Sequence, residues 1–296
     1  MEHITDYSDP RLDVYARFTE PQLRTKYEPD MGLFIAESPM VIERALDAGY
    51  VPESVLTCEE ALAGHGRDVT ERIQKEYPEV PVYIGSDEAL GPIRGYQLTR
   101  GVLCAMKRHA LPDAESILRN SRRVTLLYDV ENPSNVGSIF RSAAAMFVDA
   151  VLLTPDCADP LYRRAARVSV GTVFSIPWTY AGSRDNTDKT LDGGNVFKPA
   201  GSDGSGHYGN NDVINLLRSN GYTTLAMALS DDSVSVSDKR LKEYDKIAII
   251  MGNEGYGLPQ QVIDECDHTV KIPMAHGVDS LNVAAASAVA FWELSK

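Results

Sequence analysis

Hydrophobic and polar positions in the C-terminal part of the chain alternate between strand-like and helix-like patterns. Apolar runs such as VTLLYDV, AVLLTP and KIAIIMG are separated by longer segments of helical periodicity. Runs that are apolar at almost every position are typical of parallel strands, because helices cover a parallel sheet on both faces. The pattern from residue 122 onward therefore predicts an α/β domain with a parallel sheet.

The same rhythm continues to the end of the sequence, with one interruption. Helices are predicted at SIFRSAAAMF, RRAARVSV, NDVINLLRSNG and LNVAAASAVAFWEL, and further strands at VFSIPW, TTLAMAL and TVKIP. Residues 181–211 break the pattern with a stretch rich in Gly, Asn, Asp and Ser. Such a composition can bury little apolar surface, so we interpret this stretch as a flexible surface insertion.

Shorter apolar runs in the first hundred residues predict a second, smaller α/β domain. GLFIAESPMVIERALDAG indicates a strand, a cap at Ser38-Pro39 and an amphipathic helix that ends at Gly49. VPESVLTCEEAL, EVPVYIG and GVLCAMKR are predicted to contain strands, and DVTERIQKEY a helix. This alternation favours an independent α/β layer structure.

Length and composition agree with two domains. The chain has 296 residues, 43% of them hydrophobic, which is enough to bury a full core, and a domain typically takes roughly 150 residues. Residues 109–121 contain Pro112 and lose both periodicities, so they are predicted to be a linker. The expected domains are residues 1–108 and residues 122–296.

The net charge of -13 argues against a protein that coats nucleic acid non-specifically, because phosphate binding requires clustered Lys and Arg. Two local stretches are nevertheless basic, residues 89–112 and residues 160–184. They include Arg94, Arg100, Lys107 and Arg108 in the first, and Arg163, Arg164, Arg167 and Arg184 in the second. Solvated positive faces balanced elsewhere explain these stretches equally well.

Cysteine spacing and hydropathy define the expected compartment. The four cysteines are scattered without a C-x-x-C pair, so neither a zinc site nor a disulfide framework is indicated. The first residues lack a basic start and an apolar core, and no run of about 18 uncharged apolar residues occurs. We expect a cytoplasmic protein without membrane association.

Three polar or glycine-rich loops follow strands of the predicted parallel sheet. In such sheets ligands bind in loops at the carboxyl ends of the strands, so these loops form the candidate site. The first, ENPSNVGSIFR, places Asn135 near a helix start and Arg141 within the first turns. A capped helix with a surface arginine is the alternative explanation.

The other two loops carry further polar candidates. GNEGYGLP contains three glycines and Glu254, and matches neither G-x-G-x-x-G nor the P-loop pattern. A tight structural turn is its alternative explanation. MAHGVDSLNV contains Ser280 and Asn282 and leads into AAASAVA, whose small side chains allow close packing. A helix N-cap and an early solvent-facing residue remain the alternatives for Ser280 and Asn282.

Taken together and in this order, the three loops resemble the three motifs of the SpoU/TrmH branch of the SPOUT RNA methyltransferases. The matching segments are NPSNVGSIFRSA at 132–143, IMGNEGYGLP at 250–259 and IPMAHGVDSLNVAAASA at 272–288. The resemblance covers residues 122–296, and the insertion departs from it in length. FIAESPMVIERALDAG and GVLCAMK resemble, less specifically, the L30e-like substrate-binding domain of many members.

The resemblance implies a trefoil-knotted α/β domain, in which the C-terminal segment threads through a loop. It also implies that S-adenosylmethionine lies bent in the knot, held by backbone around Gly252, Ile272 and Leu281. Members of the family habitually form homodimers through the knot helices. The small residues at 284–288 agree with that habit.

Carried over residue by residue, the resemblance assigns the catalytic positions to Asn135 and Arg141, to Glu254, and to Ser280 and Asn282. The implied reaction transfers a methyl group from a sulfonium to a ribose 2′-hydroxyl of rRNA or tRNA. A guanidinium at Arg141 can favour the alkoxide electrostatically or act through a neighbouring phosphate. No metal ion is required by this scheme.

Under this interpretation Arg163, Arg164 and Arg167 contact the RNA backbone, and the stretch that begins at Arg94 recognises a folded RNA. Three alternatives remain. A non-catalytic RNA-binding protein is disfavoured by the intact motif positions, and a base-methylating member by the NPSNVG and SLNVAAASA patterns. A dinucleotide-dependent oxidoreductase would need a glycine fingerprint that the sequence lacks.

Overall fold

The computed structural model of the protein describes residues 1–25, 32–86, 90, 93, 101–181 and 211–295. The chain forms two compact units. Unit 1 consists of Met1–Ala110 and Pro160–Ser175, and unit 2 of Leu111–Asp159 and Ile176–Lys296. The predicted insertion lies outside the described residues except at its first and last positions.

Twelve strands occur in the described part of the chain. They are β1 (Glu2–Ile4), β2 (Leu33–Glu37), β3 (Pro52–Cys58), β4 (Val82–Gly85), β5 (Val102–Lys107), β6 (Arg123–Leu127), β7 (Ala150–Leu153), β8 (Trp178–Tyr180), β9 (Thr223–Met227), β10 (Val234–Ser235), β11 (Ile247–Met251) and β12 (His268–Lys271).

The α-helices within the same described ranges are α1 (Asp13–Ala16), α2 (Glu20–Thr25), α3 (Pro39–Asp47), α4 (Glu59–Ala63), α5 (Arg67–Glu76), α6 (Ala114–Arg119), α7 (Pro133–Ala145), α8 (Arg163–Val168), α9 (Asn211–Ser219), α10 (Gln260–Glu265) and α11 (Val283–Leu294). Short 3-10 helices form at Pro10–Leu12, Thr172–Phe174 and Lys239–Glu243. Within these ranges no helix is long and apolar enough to cross a membrane.

Unit 1 is built on a five-stranded mixed sheet in the order β1-β4-β3-β5-β2. β1, β4 and β3 are parallel, whereas β5 runs antiparallel to both β3 and β2. Phe34, Ile42, Leu56, Ile73 and Leu103 are fully buried and belong to strands or to α3 and α5. The α/β character predicted for this part is confirmed.

The predicted start of α3 is confirmed at Pro39, but the cap has a different form. Ser38 has a φ of 89°, and its side chain makes no capping hydrogen bond to the helix. Proline at the first position fixes a helical φ and lacks an N–H that would otherwise need a partner, so the helix starts without that bond. Gly49, with a φ of 85°, follows the helix end as predicted.

Unit 2 contains a seven-stranded sheet in the order β10-β12-β9-β11-β6-β7-β8, and every neighbouring pair in it is parallel. β11 lies between β9 and β6, and all five of its residues are buried. This burial explains the apolar run IAIIM. The parallel sheet predicted for the C-terminal part is confirmed.

Helices cover this sheet and set the positions of the loops. α6, α9 and α10 contribute to one core cluster through Leu118, Leu217 and Val262, together with Leu126 and Ile250 of the sheet. α7 and α11 pack against each other and contact β7 and β11, respectively. The starts of α7 and α11, which follow the first and third candidate loops, are thus parts of one packed layer.

Two predicted elements have different bounds in the structure. α6 forms inside the predicted linker, because Asp113 caps it by accepting from Ser116 N at 3.0 Å and Leu118 is buried. A helix of six residues is too short to show a period. The strand predicted at VFSIPW is wrong over its first half, where Thr172–Phe174 form a 3-10 helix. The strand begins at Trp178, directly after Pro177, which lacks an N–H for a strand ladder.

The segment Pro160–Ser175 belongs to unit 1, although the sequence places it inside the predicted methyltransferase domain. α8 packs on β2. Arg44 Nη1 donates to the Val170 carbonyl oxygen at 2.5 Å, which ties α3 to the residues after α8. Such long-range pairs explain why the segment joins unit 1.

Candidate active site

A cavity of about 550 Å³ lies at the carboxyl ends of β9, β11 and β12 in unit 2. Adjacent parallel strands bring their carboxyl ends to one sheet edge, where ligands bind in this class of fold. Six residues singled out from the sequence line the cavity: Gly252, Glu254, Ile272, Ser280, Leu281 and Asn282. The structure therefore brings the second and third candidate loops together around one space.

The loop after β11 folds back on itself at the cavity wall. Asn253 and Gly257 exchange two backbone hydrogen bonds of 3.0 Å each, and Gly257 has a φ of 71°. A Cβ placed on Gly252 would lie 2.5 Å from the Gly257 carbonyl carbon. Backbone against backbone leaves no room for a side chain at Gly252, whereas Gly257 allows the positive φ of the turn.

Glu254 connects this loop to the start of α7. Its Oε1 accepts from Asn135 Nδ2 at 2.8 Å and from Asn132 N at 3.1 Å, and its Oε2 accepts from Glu131 N at 3.4 Å. N–H groups at a helix start lack partners within the helix and carry partial positive charge, so a carboxylate there is stabilising. Glu254 therefore lines the cavity and anchors the first loop at the same time.

Asn135 and Asn282 complete a chain of hydrogen bonds across all three loops. Asn282 Nδ2 donates to Asn135 Oδ1 at 3.2 Å, while Asn282 Oδ1 caps α11 by accepting from Ala284 N at 2.9 Å. The Asn135 amide is thus fixed in one orientation, with its nitrogen toward Glu254 and its oxygen toward Asn282. Three residues from distant parts of the sequence form one polar network.

Arg141 is not part of this network. It is exposed on α7, it does not line the cavity, and its side chain makes no hydrogen bond or ion pair with the residues that the structure describes. It lies six positions after Asn135, about 9 Å along a helix axis. Its catalytic role, like the roles of Asn135, Glu254, Ser280 and Asn282 and the cofactor contacts of Gly252, Ile272 and Leu281, remains a prediction.

The arginines predicted to bind RNA have internal partners in unit 1. Arg163 Nε donates to Glu37 Oε2 at 2.8 Å, and Arg167 Nη1 to Glu37 Oε1 at 3.2 Å, while Glu37 is only 1% exposed. Arg164 is exposed, and Arg94 lies outside the described residues. Two of these arginines therefore compensate a buried carboxylate, and the RNA-binding role of all four remains a prediction.

Sequence reasoning missed a second group of polar residues beside the cavity. Asp129 is 4% exposed and has a φ of 54°. Its carboxylate accepts from Thr154 Oγ1 at 2.7 Å and from Tyr256 Oη at 3.2 Å, and its carbonyl oxygen accepts from Asn253 Nδ2 at 2.7 Å. Asp129 belongs to the run VTLLYDV, which was predicted to be a strand. The strand ends at Leu127, so Asp129 lies in the loop after it, and the apolar pattern does not indicate that end.

Tyr256 lines the cavity and is 59% exposed. Partial burial of the hydroxyl and then the Asp129 carboxylate raise the pKa of Tyr256 well above its usual range. The hydroxyl is therefore a protonated donor at neutral pH. Met227 at the end of β9 and the two residues after it, Ala228 and Leu229, form another wall that the sequence did not indicate.

A parallel α/β unit with a cavity at the carboxyl edge of its sheet, lined by the second and third polar loops, defines an enzyme-like ligand site. The SpoU rRNA Methylase family model matches residues 122–208 and 205–292, more than half of the chain. The chain belongs to the SpoU rRNA methylase family, which confirms the resemblance of the three loops.

Individual proteins show the same similarity over 82% of the chain or more. An uncharacterized tRNA/rRNA methyltransferase of Mycobacterium bovis is 31% identical, covering 100% of this chain and 92% of the relative. A 23S rRNA (guanosine-2'-O-)-methyltransferase of Acinetobacter baylyi is 28% identical over 82% of this chain and 89% of the relative. The crystal structure of an AdoMet-bound rRNA methyltransferase from Sinorhizobium meliloti aligns with a TM-score of 0.72 and 22% identity, covering 99% of this chain and 97% of that chain.

Proposed function

We propose that the protein is an S-adenosylmethionine-dependent RNA methyltransferase that transfers a methyl group to a ribose 2′-hydroxyl of rRNA or tRNA. The observation that carries the proposal is the network Asn135–Glu254–Asn282 beside a cavity lined by all three predicted cofactor positions. The rRNA methylase family and the guanosine-2'-O-methyltransferase of Acinetobacter baylyi support the same reaction class.

The donor set of the cavity fits the proposed cofactor. Its volume of about 550 Å³ is in the range of small-molecule sites. Partly buried apolar walls at Met227 and Ile272 suit an aromatic base, and polar groups of Ser280 and Asn282 suit hydroxyl and charged groups. When bound, S-adenosylmethionine supplies an electrophilic methyl group.

The residues of the chain would do three things in this reaction. The network of Asn135, Glu254 and Asn282 holds the loops, and with them the cavity walls, in one arrangement before substrate binds. Ser280 and Asn282 offer hydrogen bonds to the bound groups. A guanidinium at Arg141 would stabilise the negative charge that develops on the ribose oxygen as its proton leaves.

The position of Arg141 outside the cavity of its own chain favours a homodimer, in which the arginine serves the cavity of a second copy. α11 exposes Ala285, Val289 and Trp292 at helical spacing, and Trp292 is 57% exposed. A helix that is apolar on all faces is typical of a buried position. A second copy that covers this stripe would lie against the layer formed by α7 and α11.

A mixing experiment tests this arrangement. Arg141→Ala and Asn135→Ala are each expected to be inactive, and subunit exchange between them is expected to restore methylation, because one site of the mixed dimer keeps both residues. Sedimentation would give the oligomeric state independently. A monomeric wild type, or an inactive mixture of exchanged dimers, would exclude the shared site.

Two further parts of the proposal concern the fold. We propose that the C-terminal segment forms a trefoil knot, which is supported by the return of the chain from β12 to α11 against α7. Unit 1 is proposed to be an L30e-like domain that binds the RNA substrate. The segments that carry this resemblance form β2, α3 and β5.

The experiment that tests the function is methylation of total RNA, from cells that lack this gene, with labelled S-adenosylmethionine. The modified RNA is separated into rRNA and tRNA, and the product nucleoside is identified. A 2′-O-methyl nucleoside supports the proposal. A methylated base would establish the base-methylating alternative, and absence of label, with S-adenosylmethionine still bound, the non-catalytic one.

A further inference from the structure

Tyr256 combines two properties that rarely occur in one side chain: its ring is largely exposed and its hydroxyl is tied to a buried group. The side chain is 59% exposed, yet Tyr256 Oη donates to Asp129 Oδ2 at 3.2 Å, and Asp129 is 4% exposed. An exposed tyrosine without such a bond samples several rotamers. Here the bond restricts the ring before any ligand binds.

Hydrogen bonds within the loop also restrict the backbone of Tyr256. Asn253 Oδ1 accepts from Gly255 N at 2.7 Å and from Tyr256 N at 3.4 Å, and Asn253 Nδ2 donates to the Asp129 carbonyl oxygen at 2.7 Å. Thr154 Oγ1 in turn donates to Asp129 Oδ1 at 2.7 Å. The Tyr256 backbone, through Asn253, and the Tyr256 hydroxyl are therefore both connected to Asp129.

The surroundings of the ring select an uncharged, flat ligand group. Leu229 and Leu281, which are 57% and 41% exposed, line the same cavity and leave apolar surface at its mouth. The carboxylates of Asp129, Glu131 and Asp156 act electrostatically on Tyr256. Negative charge around the ring disfavours phosphate, whereas a neutral aromatic base stacks on such a surface.

We propose that Tyr256 is the platform on which a base of the RNA substrate stacks at the cavity mouth, with Asp129 as the residue that positions the ring. This inference rests on the proposed function. The cofactor base is the less suitable occupant, because the cavity offers it partly buried apolar walls at Met227 and Ile272, whereas most of the Tyr256 side chain faces solvent. A macromolecular substrate arrives from that solvent-facing side.

The test compares Tyr256→Ala, Tyr256→Leu and Tyr256→Phe in the full-length protein. Methylation of total RNA is measured as an initial rate at limiting RNA, and S-adenosylmethionine affinity by calorimetry. The Ala and Leu variants are expected to lose about 10- to 100-fold in rate, the range for one lost base stack. Tyr256→Phe keeps the ring and is expected to lose less than about tenfold, the effect of one hydrogen bond. Cofactor affinity is expected to stay unchanged in all three.

Leu111→Ala is the matched control, because Leu111 is 39% exposed in the same unit and does not line the cavity. Equal rates for the Leu and Phe variants would overturn the inference even if the Ala variant failed to fold. A loss of cofactor affinity parallel to the loss of rate would also overturn it, since the ring would then hold the cofactor. A wild type that methylates no RNA would overturn the proposed function together with the inference, whereas an active wild type matched by Tyr256→Ala would overturn the inference alone.

Discussion

Glu37 in unit 1 and Glu254 in unit 2 are both carboxylates that hold distant segments together, but their partners differ in charge. Glu37 is 1% exposed and receives the guanidinium groups of Arg163 and Arg167. Glu254 is exposed, and in the described part of the chain its partners are neutral N–H groups. A buried charge needs an opposite charge, while an exposed one does not. The negative charge of Glu254 thus remains uncompensated beside the cavity.

The same type of side chain thus has a structural use at Glu37 and a functional use at Glu254. The Glu37 pairs fasten α8 to β2 and would be costly to break, because one charge would stay buried. The Glu254 contacts align loops at a solvent-accessible cavity, where replacement costs less in folding and more in activity. Four predictions test this distinction, in order of decreasing expected effect.

The largest effect is expected for Arg163→Ala, which leaves Glu37 with one of its two cationic partners. We expect a loss of about 3 kcal/mol or more in the free energy of unfolding, as for other broken buried pairs. Chemical denaturation measures it. Lys75→Ala, an exposed residue on α5 of the same unit, is the control and is expected to change stability by less than about 0.5 kcal/mol. Equal losses in the two variants would contradict a special role of the Glu37 pair.

Arg141→Ala tests whether this arginine stabilises the negative charge that develops on the ribose oxygen, the role proposed for it above. Turnover is expected to fall by on the order of 100-fold or more, as for loss of one preorganised charge donor, with unchanged cofactor affinity. Labelled-methyl transfer and calorimetry measure the two quantities. Arg119→Ala, exposed on α6, serves as the control. Wild-type turnover in Arg141→Ala would exclude the assigned role.

Glu254→Gln keeps the shape of the side chain but removes its charge and one acceptor. We expect turnover to fall by about tenfold, because weaker bonds to Asn135 and Asn132 loosen the loops, and stability to fall by about 1 kcal/mol. Glu131→Gln removes a nearby charge without touching the network. If Glu254→Gln destabilised the protein as much as Arg163→Ala, the contrast between the two carboxylates would fail.

Asp267 has both kinds of partner, the cation Arg218 and the neutral groups of Thr224. Its replacement is expected to have the smallest of the four effects. Burial raises its pKa, but bonds from Arg218 Nη2 at 2.5 Å and from Thr224 N and Oγ1 at 2.8 and 2.7 Å outweigh burial and lower the pKa below its usual value. Its contribution to stability is therefore complete above the unfolded value of about 4 and is lost as pH falls through the folded value.

We expect Asp267→Asn to lower the free energy of unfolding by about 1 kcal/mol at pH 7, and by progressively less as the pH falls to 3. Unfolding curves of both proteins at several pH values measure the difference. A difference that does not change with pH would show that the ionised form is not what stabilises the fold.

Some features of the site follow from local sequence and others depend on distant partners. Apolar runs and glycine-rich strand ends were sufficient to place Glu254, Ser280 and Asn282 at one sheet edge. The bond between Asn135 and Glu254 joins residues 119 positions apart, and spacing alone gives no sign of it. Periodicity also failed for α6, where a cap and two buried side chains suffice without a repeat.

Charge patterns gave no sign of the ion pairs inside unit 1. The basic stretch around Arg163 suggested phosphate contacts, yet its partner Glu37 lies 126 residues away in a strand. A count of charged residues records their type, and pairing is decided by the fold. Tyr256 was missed for a related reason. An aromatic residue between glycines is typical of a structural turn, and the sequence does not show the partner of its hydroxyl.

The close approach of Gly252 to Gly257 has a consequence for redesign of the cavity. A side chain at position 252 would meet backbone 2.5 Å away, so no residue other than glycine fits at this wall of the cavity. Leu281 on another wall is 41% exposed and its side chain is removable. Substitutions meant to enlarge the cavity should therefore be made at position 281, with position 252 kept fixed.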